Sequence, residues 1–322
     1  MMPSADLGIV VVNHGYPDQL ERNLVGIGQS VRPALVVVVD NFSGIAQREA
    51  TTRLCAREGW TLLAPGLDLG FAAGANAGAR LLRSRGCNLL LLLDPAVWID
   101  AAGVLVLAAA CVADPQRILG TNIRRQDGSI CDGGGTVDIR RGHAPTRDGA
   151  AGSAPDGWLS ASCLMIHGSL WDWLGGFDET YFLLWEDVDL SWRCVAAGGS
   201  LAVRDDIMVL RSAPDSVPAV GADLVRLYSN CRNRLAFAAE HLTRRQLLGW
   251  LLHSPGYAAE VLRAEGRRRP ARRAGPMLAA AVRGTAAGSA VALRRLSGPA
   301  PYRPGGRRAD ERRSAPEQKT IG

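Results

Sequence analysis

The amino-acid sequence predicts an α/β fold with a mostly parallel central sheet and flanking helices, and three observations carry that expectation. Four near-continuous apolar runs, LGIVVV (7–12), LVVVV (35–39), WTLL (60–63) and NLLLLL (88–93), have the composition of strands covered on both faces. Helical patterns intervene at about 18–29, 45–58, 74–85 and 101–112, the last capped by Asp100, so the connections read as βαβ winding. Every run then ends on polar residues or glycine: Asn13 and His14, Asp40 and Asn41, the loop GLDLGFAAGANAG, and Asp94.

After RILGTNI (117–123) the alternation breaks. Residues 126–157 are rich in Gly, Asp and Pro, and DGS and DGGG signal turns, so a hairpin and a loose loop are expected. GWLSASCLMI (157–166) reads as one further strand, followed by a short helix, SLWDWL, and the turn GGFDE. A helix over about 186–197 and two short strands, 201–203 and 207–210, close the core. Helices near 219–240 and 243–265 lead into an Arg-rich tail, and no internal repeat is present.

With 322 residues the chain can bury a sizeable core, read as one domain over residues 1–240 with a helical, Arg-rich and partly disordered extension over 241–322. The charge follows that division. Residues 1–240 carry 20 basic against 26 acidic side chains, and residues 241–322 carry 17 against 5. The net +6 therefore describes the extension and not the core, and with no recognition motif nucleic acid is not an expected partner. The segment 244–275 alternates apolar helical patches with arginines, which suits either an anionic membrane surface or a solvated basic tail. Seven scattered cysteines without metal spacing read as buried thiols of a reducing cytosol. The start of the chain lacks a charged region before a cleavage site, and no uncharged apolar run reaches about 18 residues, so neither signal peptide nor membrane span is expected.

In open parallel sheets, ligands gather outside the carboxyl ends of the strands. Acceptors, donors and glycines at four successive strand ends suit a nucleotide. The glycines do not form GxGxxG after the first strand, which argues against a dinucleotide dehydrogenase. Asp40-Asn41 before Ser43-Gly44 also fits ordinary turn chemistry. A second constellation, GGFDETYFLLWEDVDLSWR (175–193), sets Glu186, Asp187 and Asp189 at a helix start beside Trp185, Tyr181 and Phe182. Carboxylates favour helix starts for dipole reasons, and Asp189 with Arg193 has the spacing of a plain helix pair. Aromatic faces beside carboxylates are also what a sugar-handling pocket needs, with one carboxylate as general base for an attacking hydroxyl.

These pieces, in order, resemble the inverting family-2 glycosyltransferases of the GT-A fold, especially bacterial rhamnosyltransferase-like members. The matching segments are VVVNHG, VVVVDNFSG, LDLGFAAGANAG, LLLDPAV, the stretch from LSASCLMI through GGFDE, WEDVDLSWR and AGG, and YSNCRNRL, over roughly residues 7–240. The resemblance implies that Asp40 recognises the nucleotide base, and that Asn13, the loop Asp68–Asn76 with Gly70, and Asp94 line the nucleoside and diphosphate. It makes Asp187 the base, with Glu186 and Asp189 orienting it or the acceptor, and Trp185 on the acceptor side. It implies a nucleoside-diphosphate sugar donor (dTDP-rhamnose or a UDP-sugar), a glycan or lipid-linked acceptor, and cell-wall or surface-polysaccharide synthesis. The place of action would be the cytoplasm, with peripheral contact at the plasma membrane.

Two positions depart from the family's pattern. Ala96 stands where a metal-binding carboxylate is usual, and Arg211 where a histidine is usual. Mg2+ or Mn2+ is the family's usual cofactor; here no metal is assigned, and Arg211 is expected to bind the diphosphate in its stead, helped by N–H groups of Gly70–Asn76. A catalytically silent homologue that binds a sugar nucleotide or a partner transferase is the alternative these losses favour, and the retained WEDVD favours an enzyme. A nucleotidyltransferase of similar winding lacks its N-terminal Gly-rich, basic motif.

Overall fold

The computed structural model describes residues 6–31, 35–42, 44–146, 156–212, 221–266 and 274–297. In chain order the first half comprises β1 (Leu7–Asn13), α1 (Pro17–Ser30), β2 (Leu35–Asp40), α2 (Ile45–Glu58), β3 (Thr61–Leu63), α3 (Gly70–Ser84), β4 (Leu89–Leu93), β5 (Val97–Ile99), α4 (Ala101–Ala113) and β6 (Arg117–Arg124). Then come β7 (Ile130–Asp132), β8 (Gly134–Thr136), β9 (Gly157–Leu159), β10 (Cys163–His167), α5 (Gly168–Leu174), α6 (Glu186–Ala196), β11 (Ser200–Arg211), α7 (Ala222–His241), α8 (Arg244–Gly266) and α9 (Ala274–Ser297).

The main sheet runs β3-β2-β1-β4-β10-β6-β11-β5, with β7 paired to β6. Strands β3, β2, β1 and β4 are mutually parallel, as are β6 and β11; β10 lies antiparallel between β4 and β6. The apolar runs explain this. Along β1, β2 and β4 the side chains alternate between two cores: Ile9, Val11, Val36, Val38, Leu89 and Leu91 face α1, α2 and α4. Val10, Val37, Val39, Leu90 and Leu92 face α3, α5 and α6. A strand buried on both faces has no polar face to show, hence the unbroken runs.

Helix α3 begins at Gly70, four residues before the expected start, so much of the presumed loop is its first turns. Glycine and alanine fill it because it lies almost on the sheet: a Cβ at Gly78 would stand 2.6 Å from Val10 Cγ1. The expected strand 157–166 is broken into β9 and β10 by Ser160–Ser162, whereas the two short strands expected after α6 are one, β11, with a bulge between Arg204 and Val209. Asp100 caps α4 as expected, accepting from the Gly103 N–H at 2.7 Å.

The described part of the extension is helical. Helices α8 and α9 pack on α7, and Trp250 and Tyr257 of α8 are buried. Gly284 and Gly288 let α9 approach the backbone of Tyr228 and Arg232 on α7; a Cβ at Gly284 would lie 2.3 Å from the Tyr228 carbonyl oxygen. Helix α9 is also, among the described residues, long and apolar enough by length and composition to cross a membrane, though a third of that stretch is buried in the protein. Arg283 interrupts this stretch, so no uncharged apolar run in it reaches about 18 residues. Residues 267–273 and 298–322 of the predicted basic tail lie outside the described residues.

Candidate active site

Parallel register brings the strand ends to one edge: Asn13 lies opposite Asp40, and Val11 opposite Leu93 just before Asp94. At the β1–β2 end, Asp40 is fully buried and its Oδ2 accepts from Arg48 Nε at 2.6 Å. Its Oδ1 and the Oδ1 of buried Asn41 have no hydrogen-bond partner. Asn41 donates instead to the Gly70 carbonyl at 2.7 Å, and Arg48 lies over the Phe42 ring at 4.6 Å. Two buried acceptors without donors are costly unless something outside the chain supplies the N–H. Asn13 is internally satisfied, donating to Thr51 Oγ1 and accepting from the Tyr16 N–H, both at 3.1 Å.

Asp68 closes a local turn before α3, its Oδ1 accepting from the Gly70 N–H at 2.9 Å, with His14 Nδ1 at 3.7 Å from its Oδ2. The Phe71 N–H is taken by the Phe182 carbonyl at 2.8 Å. From Gly74 onward the N–H groups close helical bonds, so the expected row of donors over Gly70–Asn76 is not available as such. The Asn76 amide is fully engaged: it donates to the Phe177 carbonyl and Glu179 and accepts from the Phe177 N–H, pinning the GGFDE turn to α3.

The second group assembles around the break between β9 and β10. The Ser162 carbonyl accepts from the Asp94 N–H at 2.9 Å, and the Ser162 hydroxyl donates to Asp132 Oδ2 at 2.8 Å. The Ala161 N–H reaches Asp187 Oδ2 at 3.4 Å. Arg211 stands among them, donating through Nη2 to Asp132 Oδ2 at 2.9 Å, with Nη1 3.8 Å from Asp94 Oδ2. Pairing of β11 with β5 puts Arg211 opposite Val97, next to Ala96. Asp94 Oδ1 accepts from the Ala96 N–H at 2.7 Å, closing a tight turn.

Asp132 is the member that sequence reasoning missed. It sits in DGGG, which reads as a turn, and only the pairing of β7 with β6 carries it to this edge. Its charge matters. Burial and then the Asp132 carboxylate push the Asp187 carboxyl up to about 7. Burial, reinforced by Asp187, holds Glu186 well above the usual carboxylate range, and Glu186 Oε2 is buried without a partner.

The approach to this pair is strained. Leu184 and Trp185, immediately before α6, both adopt left-handed backbone, φ +68° and +75°. Such conformations cost about 1–3 kcal/mol each and persist only where surroundings enforce them. Here α7 does so: Asn233 Nδ2 donates to the carbonyls of Leu183 and Leu184 at 3.0 and 2.8 Å, and Arg232 to that of Thr180 at 2.9 Å. This is the work of YSNCRNRL.

Two expectations are corrected. Trp185 is not a stacking platform: its ring is 5% exposed, packed against Phe237 and Trp250, with its indole N–H donating to Asn230 at 2.9 Å. Asp189 does not face an acceptor: it is 1% exposed and pairs with Arg193 at 2.7 Å and His241 at 2.6 Å, tying α6 to α7. The exposed aromatic ring nearby is Phe182, whose carbonyl already holds α3. A cavity of about 460 Å3 by α8, lined by Arg141, His143, His253, Tyr257 and Glu260 among others, shares no residue with this edge.

The architecture is that of the GT-A glycosyltransferases. The mannosyltransferase PcManGT from Pyrobaculum calidifontis, solved in complex with GDP-Man and Mn2+, superposes with a TM-score of 0.53 at 17% identity, over 90% of this chain and 87% of that one. GalNAc-T7, solved with UDP, GalNAc and Mn2+, gives a TM-score of 0.50 at 15% identity over 70% of this chain, which spans 46% of that longer protein. No protein-family model matches the sequence. In sequence the chain is similar to the N-acetylglucosaminyl-diphospho-decaprenol L-rhamnosyltransferase of Mycobacterium tuberculosis, in two strains. Each is 29% identical over 220 residues, 60% of this chain and 71% of the relative. The fold is thus shared with glycosyltransferases of known structure, and the sequence is similar to that of a rhamnosyltransferase.

Proposed function

We propose that the chain transfers a sugar, rhamnose by analogy with its relative, from a nucleoside-diphosphate donor to a lipid-linked glycan acceptor, with inversion, in cell-wall or surface-polysaccharide synthesis. The observation that carries this reading is Asp187, a carboxyl with a pKa near 7 at the strand-end edge that also holds Asp94 and Arg211. A carboxylate raised by burial and by a neighbouring negative charge is a stronger base than an ordinary one, as proton abstraction needs. In the reaction the acceptor hydroxyl gives its proton to Asp187, and its oxygen bonds to the anomeric carbon from one face. The bond from that carbon to the diphosphate oxygen breaks on the other, and its electron pair leaves with the nucleoside diphosphate.

The buried, partnerless oxygens of Asp40 and Asn41 support a nucleobase contact there, through base N–H donors. Asp68 and Gly70 shape the loop beside it, while Asn13 and Asn76 position the strand end and the GGFDE turn. Burial, with the neighbouring Asp187, raises the Glu186 carboxyl and so favours its neutral form beside the base.

The lipid-linked acceptor makes a membrane surface the second partner, reached from its cytoplasmic side. Helix α9 exposes Leu278, Val282 and Leu293, carries Arg283, Arg294 and Arg295, and has no acidic residue. An apolar stripe flanked only by cations suits an anionic bilayer interface. Calorimetric titration of the full chain with a panel of sugar nucleotides tests the donor reading: micromolar binding of at least one supports it, and binding of none overturns it.

A further inference from the structure

The two GT-A relatives described above were solved with Mn2+. The residues of this chain do not fit a divalent cation in the same crevice. The two carboxylates that converge there, Asp94 and Asp132, face one guanidinium, that of Arg211, at 3.8 and 2.9 Å. A cation ligated by both would have to lie where Arg211 already puts a permanent positive charge, and like charges that close repel strongly. The third position within reach, Ala96, offers only a methyl group, and its backbone N–H occupies one lone pair of Asp94 Oδ1. Among the described residues no group of three His, Cys, Asp or Glu side chains could hold a metal ion.

Arg211 is also held as an anion-binding arginine needs to be. One edge of its guanidinium is fixed: Nη2 donates to Asp132 Oδ2 at 2.9 Å, and Ser162 Oγ lies 3.4 Å away. Asp132 is itself fixed by the Ser162 hydroxyl at 2.8 Å and by the pairing of β7 with β6. Nη1 is 3.8 Å from Asp94, beyond hydrogen-bond distance, and both side chains are about a third exposed at this strand-end edge. A guanidinium clamped along one edge, with donors left on the other, presents a parallel pair of N–H groups to phosphate oxygens.

We infer that Arg211, clamped by Asp132 and Ser162, is the resident cation of this site, so that the diphosphate of the donor is bound by a guanidinium and independently of any divalent metal. This rests on the reading of the site as a nucleoside-diphosphate site. It assigns Asp132 a positioning role, and it carries an unusual corollary: removing the Arg211 side chain leaves two facing carboxylates with no cation between them, which creates a metal site where the native chain has none.

The test uses the full chain, UDP and dTDP as probes, and Mn2+ alone. Wild-type affinity for the bound nucleotide should agree within twofold in EDTA and in millimolar MnCl2. Arg211→Ala should bind at least tenfold more weakly in EDTA and regain threefold or more of that loss with Mn2+, a rescue that a merely structural arginine would not produce. Arg211→Gln, which keeps the bulk and one donor, should fall between the two, and thermal melting verifies that both variants fold. Mn2+ alone, followed by electron paramagnetic resonance, should bind Arg211→Ala and not the wild type. Tenfold tighter nucleotide binding by the wild type in Mn2+, or micromolar binding of Mn2+ itself to the wild type, overturns the inference. If neither nucleotide binds under any condition the donor reading fails with it, whereas the Mn2+ result still decides separately whether Arg211 excludes a cation.

Discussion

Replacing Asp187 with asparagine should make the protein more stable and nearly inactive at once. The carboxyl rises from its ordinary 3.8 to about 7 in the folded chain, through burial and the Asp132 charge. A carboxyl with a raised folded pKa favours the protonated form in the native state, while the unfolded chain releases the proton above about pH 4. Stability therefore falls as pH rises from about 4 to 7, and the penalty is complete above 7. Three pKa units correspond to at most about 4 kcal/mol. The asparagine amide keeps a desolvation cost for its own buried polar atoms, so a gain of about 1–2 kcal/mol is expected for Asp187→Asn at pH 8, shrinking as pH falls toward 4. Turnover should drop about a hundredfold or more, the usual size of a general-base contribution. Urea unfolding followed by tryptophan fluorescence at pH 5 and pH 8, beside a turnover assay, measures both. An equal stability difference at the two pH values, or an active Asn variant, would refute the reasoning. Loss of the fold would instead make Asp187 an indispensable N-terminal residue of α6.

Three further outcomes follow from the same geometry. Asp132→Asn removes the charge that helps to raise Asp187, so the acidic limb of the pH–rate profile should move below pH 7; an unmoved limb would separate the two residues. Gly70→Ala puts a Cβ 2.3 Å from the Phe182 carbonyl oxygen at φ +77°, and should cost about 2 kcal/mol or more, read as a lowered melting temperature. Leu278→Glu with Val282→Glu on the exposed face of α9 should abolish flotation with anionic liposomes while leaving the melting temperature unchanged; retained flotation would remove α9 from the membrane contact. Point variants serve better here than truncation near residue 240, which would strip Trp250 and Tyr257 from the core around Trp185.

The half of the fold that winds as βαβ was legible because period and burial agree there: β1, β2 and β4 are apolar on both faces, and the pattern says so. The strand-end rule then located Asp40 and Asp94 without any structure. What escaped was whatever depends on pairing between distant segments. Asp132 reads as a turn residue until β7 pairs with β6, and Ser160–Ser162 reads as mid-strand until it breaks to contact Asp94, Asp132 and Asp187. Trp185 and Asp189 carried the right residue types for a sugar site, yet face the core, because a helix start shows in sequence while the direction of each side chain around it does not. Helix α9 escaped because its alanines and glycines are chosen for closeness to α7, a tertiary demand that leaves little amphipathic trace.

The most direct test of the account is transfer itself. Purified chain, dTDP-rhamnose and N-acetylglucosaminyl-diphospho-polyprenol in anionic vesicles should yield a glycosylated lipid and free dTDP, and nuclear magnetic resonance of the product should give an anomeric configuration opposite to that of the donor. Asp187→Asn should form about a hundredfold less product under the same conditions. Product with the donor's configuration retained, or equal product from Asp187→Asn, would contradict the account.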